Sequence, residues 1–184
     1  MRRFVKFIPL AIYTMTAICI AGQAHIPETH AVTSQNGKFI FIMTAPKLSV
    51  DGKTVEHGKS TAYQVRKDGS LQKQWLTAGW YSNRIKIDDS GKYLIRRGNR
   101  NVWSKFLDFD TAVAFFKEGK LIKEYKIKDL ISNEELAKST KNSWEILNRD
   151  YPKLVHQIYS IKTAAGKVIS FDITSGKIVS GKEK

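Results

Sequence analysis

The chain is a succession of short hydrophobic runs separated by polar turns that contain glycine. Residues 39–43 are apolar at successive positions, which predicts a strand covered on both faces. In residues 85–97, Ile85 and Ile87 alternate with charged residues, and an Asp-Ser-Gly-Lys turn leads into a second run. An alternation with a period of two puts the apolar side chains on one face of a strand. The pattern predicts antiparallel hairpins.

Glycine marks the turns of the other predicted hairpins. The pair Asp51-Gly52 is a strong hairpin signal, because both central positions of a type I′ turn require a positive φ. Further predicted turns lie between pairs of strand-like runs at Gly69, Gly119, Gly166 and Gly176. Residues 25–30 are polar and interrupted by Pro27, so no regular element is predicted there.

One segment has a helical pattern instead. Ser132 and Glu135 match a capping box, in which each side chain bonds the backbone amide of the other residue. The helical spacing then continues with Leu136, Thr140, Trp144 and Leu147. This predicts one surface helix near residues 132–148, inserted into the β-rich chain at about residues 129–153 and ended before Pro152.

The first 24 residues have the pattern of a secretory signal peptide. A basic start is followed by an apolar run at residues 7–20 and by small residues up to Ala24. The run holds about 14 residues, fewer than the roughly 20 that a membrane-spanning helix requires. We expect cleavage after Ala24 and a periplasmic or secreted protein, with an uncleaved N-terminal anchor as the alternative.

Removal of this leader leaves residues 25–184, a length typical of one domain, and we expect a single β-rich domain. The one cysteine, Cys19, belongs to the leader, so the mature chain relies on its hydrophobic core rather than on disulfides. The net charge is +14 for the whole chain and +11 without the three basic residues of the leader. A strongly basic protein attracts anionic partners over a long range.

Two stretches of the chain correspond to each other. Residues 35–41 align with residues 89–95, and later turns at Gly69 and Gly119 also correspond, which indicates a repeated unit of about 50 residues. A third, shorter copy is expected to begin near His156. The phrases Asp-Ser-Gly-Lys-Tyr-Leu at residues 89–94 and Phe-Asp-Ile-Thr-Ser-Gly-Lys at residues 171–177 resemble the strand-turn-strand segments of bacterial β-propeller repeats. Residues 81–130 also resemble small secreted bacterial proteins of unknown function.

This resemblance implies blade-like sheets of antiparallel strands. At most three blades fit the length of the chain, whereas closed propellers typically have four or more. The predicted fold is therefore mainly β, with antiparallel hairpin repeats that form a partial propeller-like stack or a sandwich.

Basic and aromatic residues are concentrated in the middle of the chain. Arginine pairs with carboxylate or phosphate through its planar fork, and tryptophan offers a flat surface to sugar rings or bases. If Tyr93 and Ile95 face the core, the period of two places Lys92, Leu94 and Arg96 on the other face. The alternative is that the tryptophans fill the core and the charges only keep the protein soluble. The candidate binding residues are Trp80, Tyr81, Arg84, Lys86, Lys92, Arg96, Arg97, Arg100 and Trp103.

These features predict an exported, non-enzymatic binding or interaction protein. Its expected partner is anionic: a cell-envelope polymer, a membrane surface or an acidic protein. Membrane contact would use the surface charge or an uncleaved leader. Nucleic acid is disfavoured by the export signal and by aromatic residues interrupted by core-like ones. No catalytic residue and no cofactor are predicted, because the sequence has no nucleophile elbow and no phosphate-binding glycine loop.

The alternative function is a secreted copper-binding or hydrolytic enzyme. Cleavage after Ala24 would make His25 the N-terminal residue, whose amine and imidazole chelate Cu(II) together. A second histidine would complete a site of three nitrogen atoms. No other feature of the sequence supports copper, so no metal site is predicted beyond His25.

Overall fold

The computed structural model describes residues 27–50, 53–98, 111–132, 134, 152–163 and 165–181. Within these ranges the protein is mainly β and contains several antiparallel sheets, as the sequence predicts. Three sheets have four strands each, and a small two-stranded hairpin accompanies the first of them. A short helix, α1 (Ile127–Leu130), directly follows the last strand of the second sheet.

The three sheets follow one another along the chain. Within each sheet the strands lie side by side in the order in which the chain forms them, except that a small hairpin is inserted between the second and third strands of sheet 1. Sheet 1 contains, in spatial order, β1 (His30–Thr33), β2 (Phe39–Met43), β5 (Ser60–Val65) and β6 (Leu71–Thr77). The small hairpin inserted between β2 and β5 consists of β3 (Lys47–Leu48) and β4 (Thr54–Glu56). Sheet 2 contains β7 (Ile85–Ile87), β8 (Tyr93–Arg97), β9 (Thr111–Lys117) and β10 (Lys120–Lys126). Sheet 3 contains β11 (Lys153–Val155), β12 (Ile158–Lys162), β13 (Val168–Asp172) and β14 (Ile178–Ser180).

Corresponding turns of sheets 1 and 2 have the same backbone geometry. Gly37 in the β1–β2 turn has a φ of 70°, and Gly91 in the β7–β8 turn has a φ of 71°. The amide of Gly37 donates to Ser34 O at 3.0 Å, and that of Gly91 donates to Asp88 O at 3.1 Å. A positive φ is accessible to glycine without the steric cost that a Cβ imposes. These glycines therefore fix the two hairpins.

Sheet 2 is buried on both faces, because it lies between sheets 1 and 3. On β9, Ala114 and Phe116 belong to the hydrophobic cluster shared with sheet 1. The alternate residues Val113 and Phe115 belong to the cluster shared with sheet 3. The strand carries five consecutive buried residues, which explains why its sequence is continuously apolar rather than alternating.

Aromatic side chains on outer strands connect neighbouring sheets through hydrogen bonds. Trp75 Nε1 on β6 donates to Gly91 O of sheet 2 at 2.8 Å. Tyr125 Oη on β10 donates to Gly176 O of sheet 3 at 2.9 Å. A Cβ atom at Gly91 would lie 2.2 Å from the Phe39 ring, so the sheets approach closely at this point. Both contacts anchor the turn of one sheet on the outer strand of the preceding one.

The predicted hairpins are confirmed by the paired strands on either side of residues 51–52 and of Gly69, Gly91, Gly119, Gly166 and Gly176. The expectation that the strand at residues 39–43 is covered on both faces is wrong. Phe41 and Met43 are fully buried against sheet 2, whereas Ile40 and Ile42 stay partly exposed on the outer face of sheet 1. Sheet 1 is the first of the three described sheets, and its outer face has no described sheet packed on it.

Two strands were not predicted. β1 begins at His30, at the end of a segment expected to be irregular, and its Val32 pairs with Phe41 of β2. β11 pairs with β12 through Leu154 and Tyr159. Each strand has only three or four residues, so pairing with a longer hydrophobic neighbour, rather than its own pattern, determines its conformation.

Several predictions concern residues outside the described ranges. The predicted leader and His25 precede residue 27, and the predicted helix at residues 132–148 lies almost entirely between residues 134 and 152. In the part of the chain that the structure describes, no helix has the length and apolar character needed to cross a membrane.

Candidate functional site

Arg84, Lys86 and Arg97 converge on one cavity, which we call the basic pocket. The cavity has a volume of about 190 Å³ and lies beside β7, between sheets 2 and 3. Its other lining residues are Ile85, Ile95, Pro152 and Tyr159. The combination of three cations with apolar walls favours an anionic group.

A buried serine holds the backbone of the basic pocket in place. Ser82 is fully buried, and its Oγ donates to Arg97 O at 2.8 Å while accepting from Arg84 N at 3.0 Å. Arg97 N also donates to Arg84 O at 2.8 Å. These bonds tie the chain just before β7 to the end of β8. They place Arg84, just before β7, beside Arg97 at the end of β8.

Tyr159 contributes a phenol group to the same pocket. Only 1% of the residue is exposed, and burial raises the pKa of its hydroxyl far above the ordinary value. The charges of Arg97 and Arg84 act in the opposite direction on that pKa, although burial dominates. Tyr159 therefore remains protonated and can donate a hydrogen bond to an anion.

A second cavity, the Trp80 pocket, has a volume of about 290 Å³ and lies between sheets 1 and 2. Arg96 lies over the indole ring of Trp80, with 5.2 Å between its Cζ and the ring centroid. The Trp80 ring is stacked on Phe116 at a centroid distance of 5.1 Å. The cavity is lined by Thr77, Ala78, Trp80, Arg96, Ala114, Phe116, Gly119, Leu121 and Glu124.

A network of polar groups holds Arg96 in this pocket. Its Nη2 donates to Thr111 Oγ1 at 3.0 Å, and it lies 3.6 Å from Glu124 Oε1. The same Oε1 atom accepts from Thr111 and lies 3.1 Å from Lys126 Nζ. Partial burial lowers the pKa of the Arg96 guanidinium, and the charge of Glu124 opposes that shift.

Several neighbouring groups shift the pKa of the Glu124 carboxyl. Partial burial alone would raise its pKa, but the hydrogen bonds from Thr111 and Lys126 lower it. The charges of Lys126 and Arg96 act in the same direction, and together these interactions hold the pKa below the ordinary value. Glu124 is therefore ionised at neutral pH.

The third cavity lies where the first turns of the three sheets meet, and its volume is about 480 Å³. It is lined by Gln35, Ile87, Asp88, Asp89, Ser90, Leu154, His156 and Gln157. The carboxylate of Asp88 accepts hydrogen bonds from Ser90 and from the amide of Tyr93, and Asp89 accepts from the amide of Asn36. Because these acids already hold the turns together, we assign no ligand to this cavity.

The predicted binding residues do not form one site: some line the basic pocket, some line the Trp80 pocket, and others lie outside both. Arg84, Lys86 and Arg97 line the basic pocket, whereas Trp80 and Arg96 line the Trp80 pocket. The expectation that Lys92, Leu94 and Arg96 form an outward face is wrong. Leu94 is 1% exposed, because β8, like β9, is covered on both faces.

The remaining predicted residues are separate from both pockets. Tyr81 is partly buried, and its hydroxyl donates to Glu28 O at 2.9 Å, so it fixes the segment before β1. Lys92 is exposed in the β7–β8 turn, and its carbonyl accepts from Glu118 N at 2.7 Å. Arg100 and Trp103 lie outside the described residues.

Sequence reasoning missed Tyr159, Glu124 and Ser82. Tyr159 is contributed by sheet 3, and Glu124 lies on the far edge strand of sheet 2. No local motif links either residue to the arginines. The signal for Ser82 was weak, since a lone serine before a strand is common. Only the pairing of β7 with β8 reveals that its hydroxyl bonds both arginine backbones.

The basic pocket and the Trp80 pocket both present charged and hydrogen-bonding groups beside apolar walls. Among the described residues, no group of three or more histidine, cysteine, aspartate or glutamate side chains could hold a metal ion. The fold and the pockets together define a mainly β protein with two separate cavities containing arginine. No protein-family model matches the chain, and no curated protein is significantly similar to it.

Proposed function

We propose that this protein is an exported, non-enzymatic binding protein that engages an anionic partner. The observation that supports the proposal is the convergence of Arg84, Lys86 and Arg97 on the basic pocket, with the Tyr159 phenol beside them. An anion there would gain from charges in partly desolvated surroundings, where electrostatic interactions are stronger than in bulk water.

The partner that fits best is an anionic polymer or surface of the cell envelope, or an acidic protein. The net charge of +11 without the leader draws such a partner in over a long range, and the pocket then holds one anionic group. The N-terminal pattern of a basic start and an apolar run supports a periplasmic or secreted location. We also propose that the three sheets are arranged as a partial, propeller-like stack, in which each sheet buries a face of the next.

The test is binding of the purified protein to an immobilised anionic polymer at several salt concentrations. The variant carries Arg84→Gln and Lys86→Gln, which remove two charges of the pocket and leave the buried Arg97 in place. If each charge contributes about 1 kcal/mol, the double variant should bind roughly 30-fold more weakly. Binding of the wild type should also weaken as salt rises.

The matched control carries Lys67→Gln and Lys73→Gln, two exposed cations of sheet 1. It has the same net charge as the pocket variant, so it should keep most of the affinity if the pocket is the site. Equal losses in the two variants would mean that net charge alone drives binding. Undiminished binding in both variants would refute the proposed pocket, provided that both give the circular dichroism spectrum of the wild type.

A further inference from the structure

We propose that the Trp80 pocket binds a free α-amino acid with an apolar side chain. The proposal is independent of the anionic partner, because the two pockets lie on opposite faces of sheet 2. It rests on a cation and a carboxylate that lie next to each other in a cavity whose remaining walls are mostly apolar.

Arg96 and Glu124 each retain hydrogen-bonding atoms without a partner among the described residues. The contacts of Arg96 involve Nη2, so Nε and Nη1 remain as donors. All the polar contacts of Glu124 involve Oε1, so Oε2 remains as an acceptor. The pocket thus offers donors for a carboxylate and an acceptor for an ammonium group.

The spacing of these two groups suits a zwitterion. Arg96 Nη2 lies 3.6 Å from Glu124 Oε1, so the two charges are close together but do not form a bidentate ion pair. In an α-amino acid the ammonium and the carboxylate are attached to one carbon, and they are therefore adjacent as well. The ligand carboxylate would bind the remaining donors of Arg96 while its ammonium binds Oε2 of Glu124, so each pocket charge would gain a further partner.

The pocket is organised before a ligand arrives. The guanidinium is held from one side by the Trp80 ring and at Nη2 by Thr111. The side chain of Arg96 is 19% exposed and that of Glu124 is 27% exposed, so water only partly screens them. A side chain that is already fixed loses less entropy on binding, which increases affinity.

The rest of the pocket fits a compact apolar group. Ala114, Phe116 and Leu121 form apolar wall, and the volume of about 290 Å³ equals roughly ten water molecules at about 30 Å³ each. Leucine, isoleucine, methionine and phenylalanine are within this size. Apart from Arg96 and Glu124, the described residues that line the pocket carry no charge and give no partner to a charged side chain, so lysine, aspartate and glutamate should be rejected.

The experiment is titration calorimetry of the purified protein with L-leucine at pH 7, beside three related compounds. Leucinamide lacks the carboxylate, N-acetyl-leucine lacks the ammonium, and glycine lacks the side chain. Each should bind at least about tenfold more weakly than leucine, because each loses one of the three contacts. No saturable heat with leucine, isoleucine, methionine or phenylalanine at millimolar concentrations would overturn the proposal.

Variants separate recognition from an effect on the fold. Glu124→Gln keeps the shape of the side chain and should reduce leucine affinity roughly tenfold to hundredfold while hardly changing binding of N-acetyl-leucine. Glu56→Gln removes an exposed acid of the small hairpin and should leave leucine binding unchanged. If Glu124→Gln binds leucine as the wild type does, or if N-acetyl-leucine binds as tightly as leucine, the assignment is wrong.

Discussion

Arg96 and Arg97 are neighbours in sequence, yet they lie in different chemical surroundings on opposite faces of sheet 2. Arg96 lies over Trp80 beside the carboxylate of Glu124, in the cavity shared with sheet 1. Arg97 lies beside Arg84 and Tyr159, in the cavity next to sheet 3. Successive side chains of a strand point to opposite faces, so in a strand covered on both sides two neighbouring residues reach two different sites. A run of basic residues therefore need not form one basic surface.

The largest predicted effect concerns the apolar residues on the same two faces. Phe115 is fully buried against Tyr159 and Phe171, so Phe115→Ala should lower the free energy of unfolding by about 3–5 kcal/mol. Phe116 borders the Trp80 pocket, so Phe116→Ala removes fewer contacts and should cost about 3 kcal/mol, the lower end of that range. Urea unfolding measures both values. A greater loss for Phe116→Ala would mean that the face towards sheet 1 is the better packed of the two.

An intermediate effect is expected at the interface of sheets 1 and 2. Gly91→Ala combines a positive φ with a Cβ atom 2.2 Å from the Phe39 ring, whereas Gly37→Ala meets the same φ in open space. The Gly37 variant should cost about 1 kcal/mol. The Gly91 variant should cost about 2 kcal/mol more, because the ring must move. Equal melting temperatures of the two variants would show that Phe39 yields freely.

The smallest effect concerns the ion pairs, and it depends on pH. The folded protein holds the pKa of Glu124 below its ordinary value of 4.5, so the carboxylate stabilises the fold above pH 4.5. That contribution is lost as pH falls through the lowered pKa. Glu124→Gln should therefore be about 0.5–1 kcal/mol less stable than the wild type at pH 7. The difference should shrink in acid.

The exposed pair Lys47–Glu56 provides the baseline for this measurement. Its atoms are 2.6 Å apart, but both side chains are well solvated, so Lys47→Gln should leave the unfolding midpoint unchanged. Thermal unfolding from pH 3 to pH 7 tests both variants. A difference between wild type and Glu124→Gln that grows in acid would contradict the sign of the lowered pKa.

The sequence predicts the hairpins well because their turns have a local chemical signature. Positive φ values at Gly37, Gly91 and Gly176 favour glycine, and the flanking runs are apolar. β1 has no such signature, since only its pairing with β2 makes it a strand. The expectation that one face of β8 points outward was wrong because it, too, depended on contacts distant in sequence. An apolar run does not reveal which sheet will cover each of its sides.

The candidate residues were predictable only one by one. Residue chemistry singled out Trp80, Arg84, Arg96 and Arg97, but their division into two pockets depends on the packing of three sheets. Glu124 supplies the carboxylate beside Arg96 in the Trp80 pocket, and the distance between the two residues along the chain hides that contact. Pairing across strands, which no single sequence displays, decides the chemistry of each pocket.

The location of the two hydrophobic clusters has a consequence for the time course of folding during synthesis. Phe41 and Met43 share their hydrophobic cluster with Ala62 of sheet 1, but the other buried members of the cluster, from Ile85 to Phe116, belong to sheet 2. A ribosome that adds about 5–20 residues per second needs several seconds to supply that partner. Sheet 2 must wait again for sheet 3 to cover Phe115. The growing chain therefore exposes apolar surface until the strands of sheet 3 are made. Chaperones that bind exposed apolar segments have the largest binding surface during that interval.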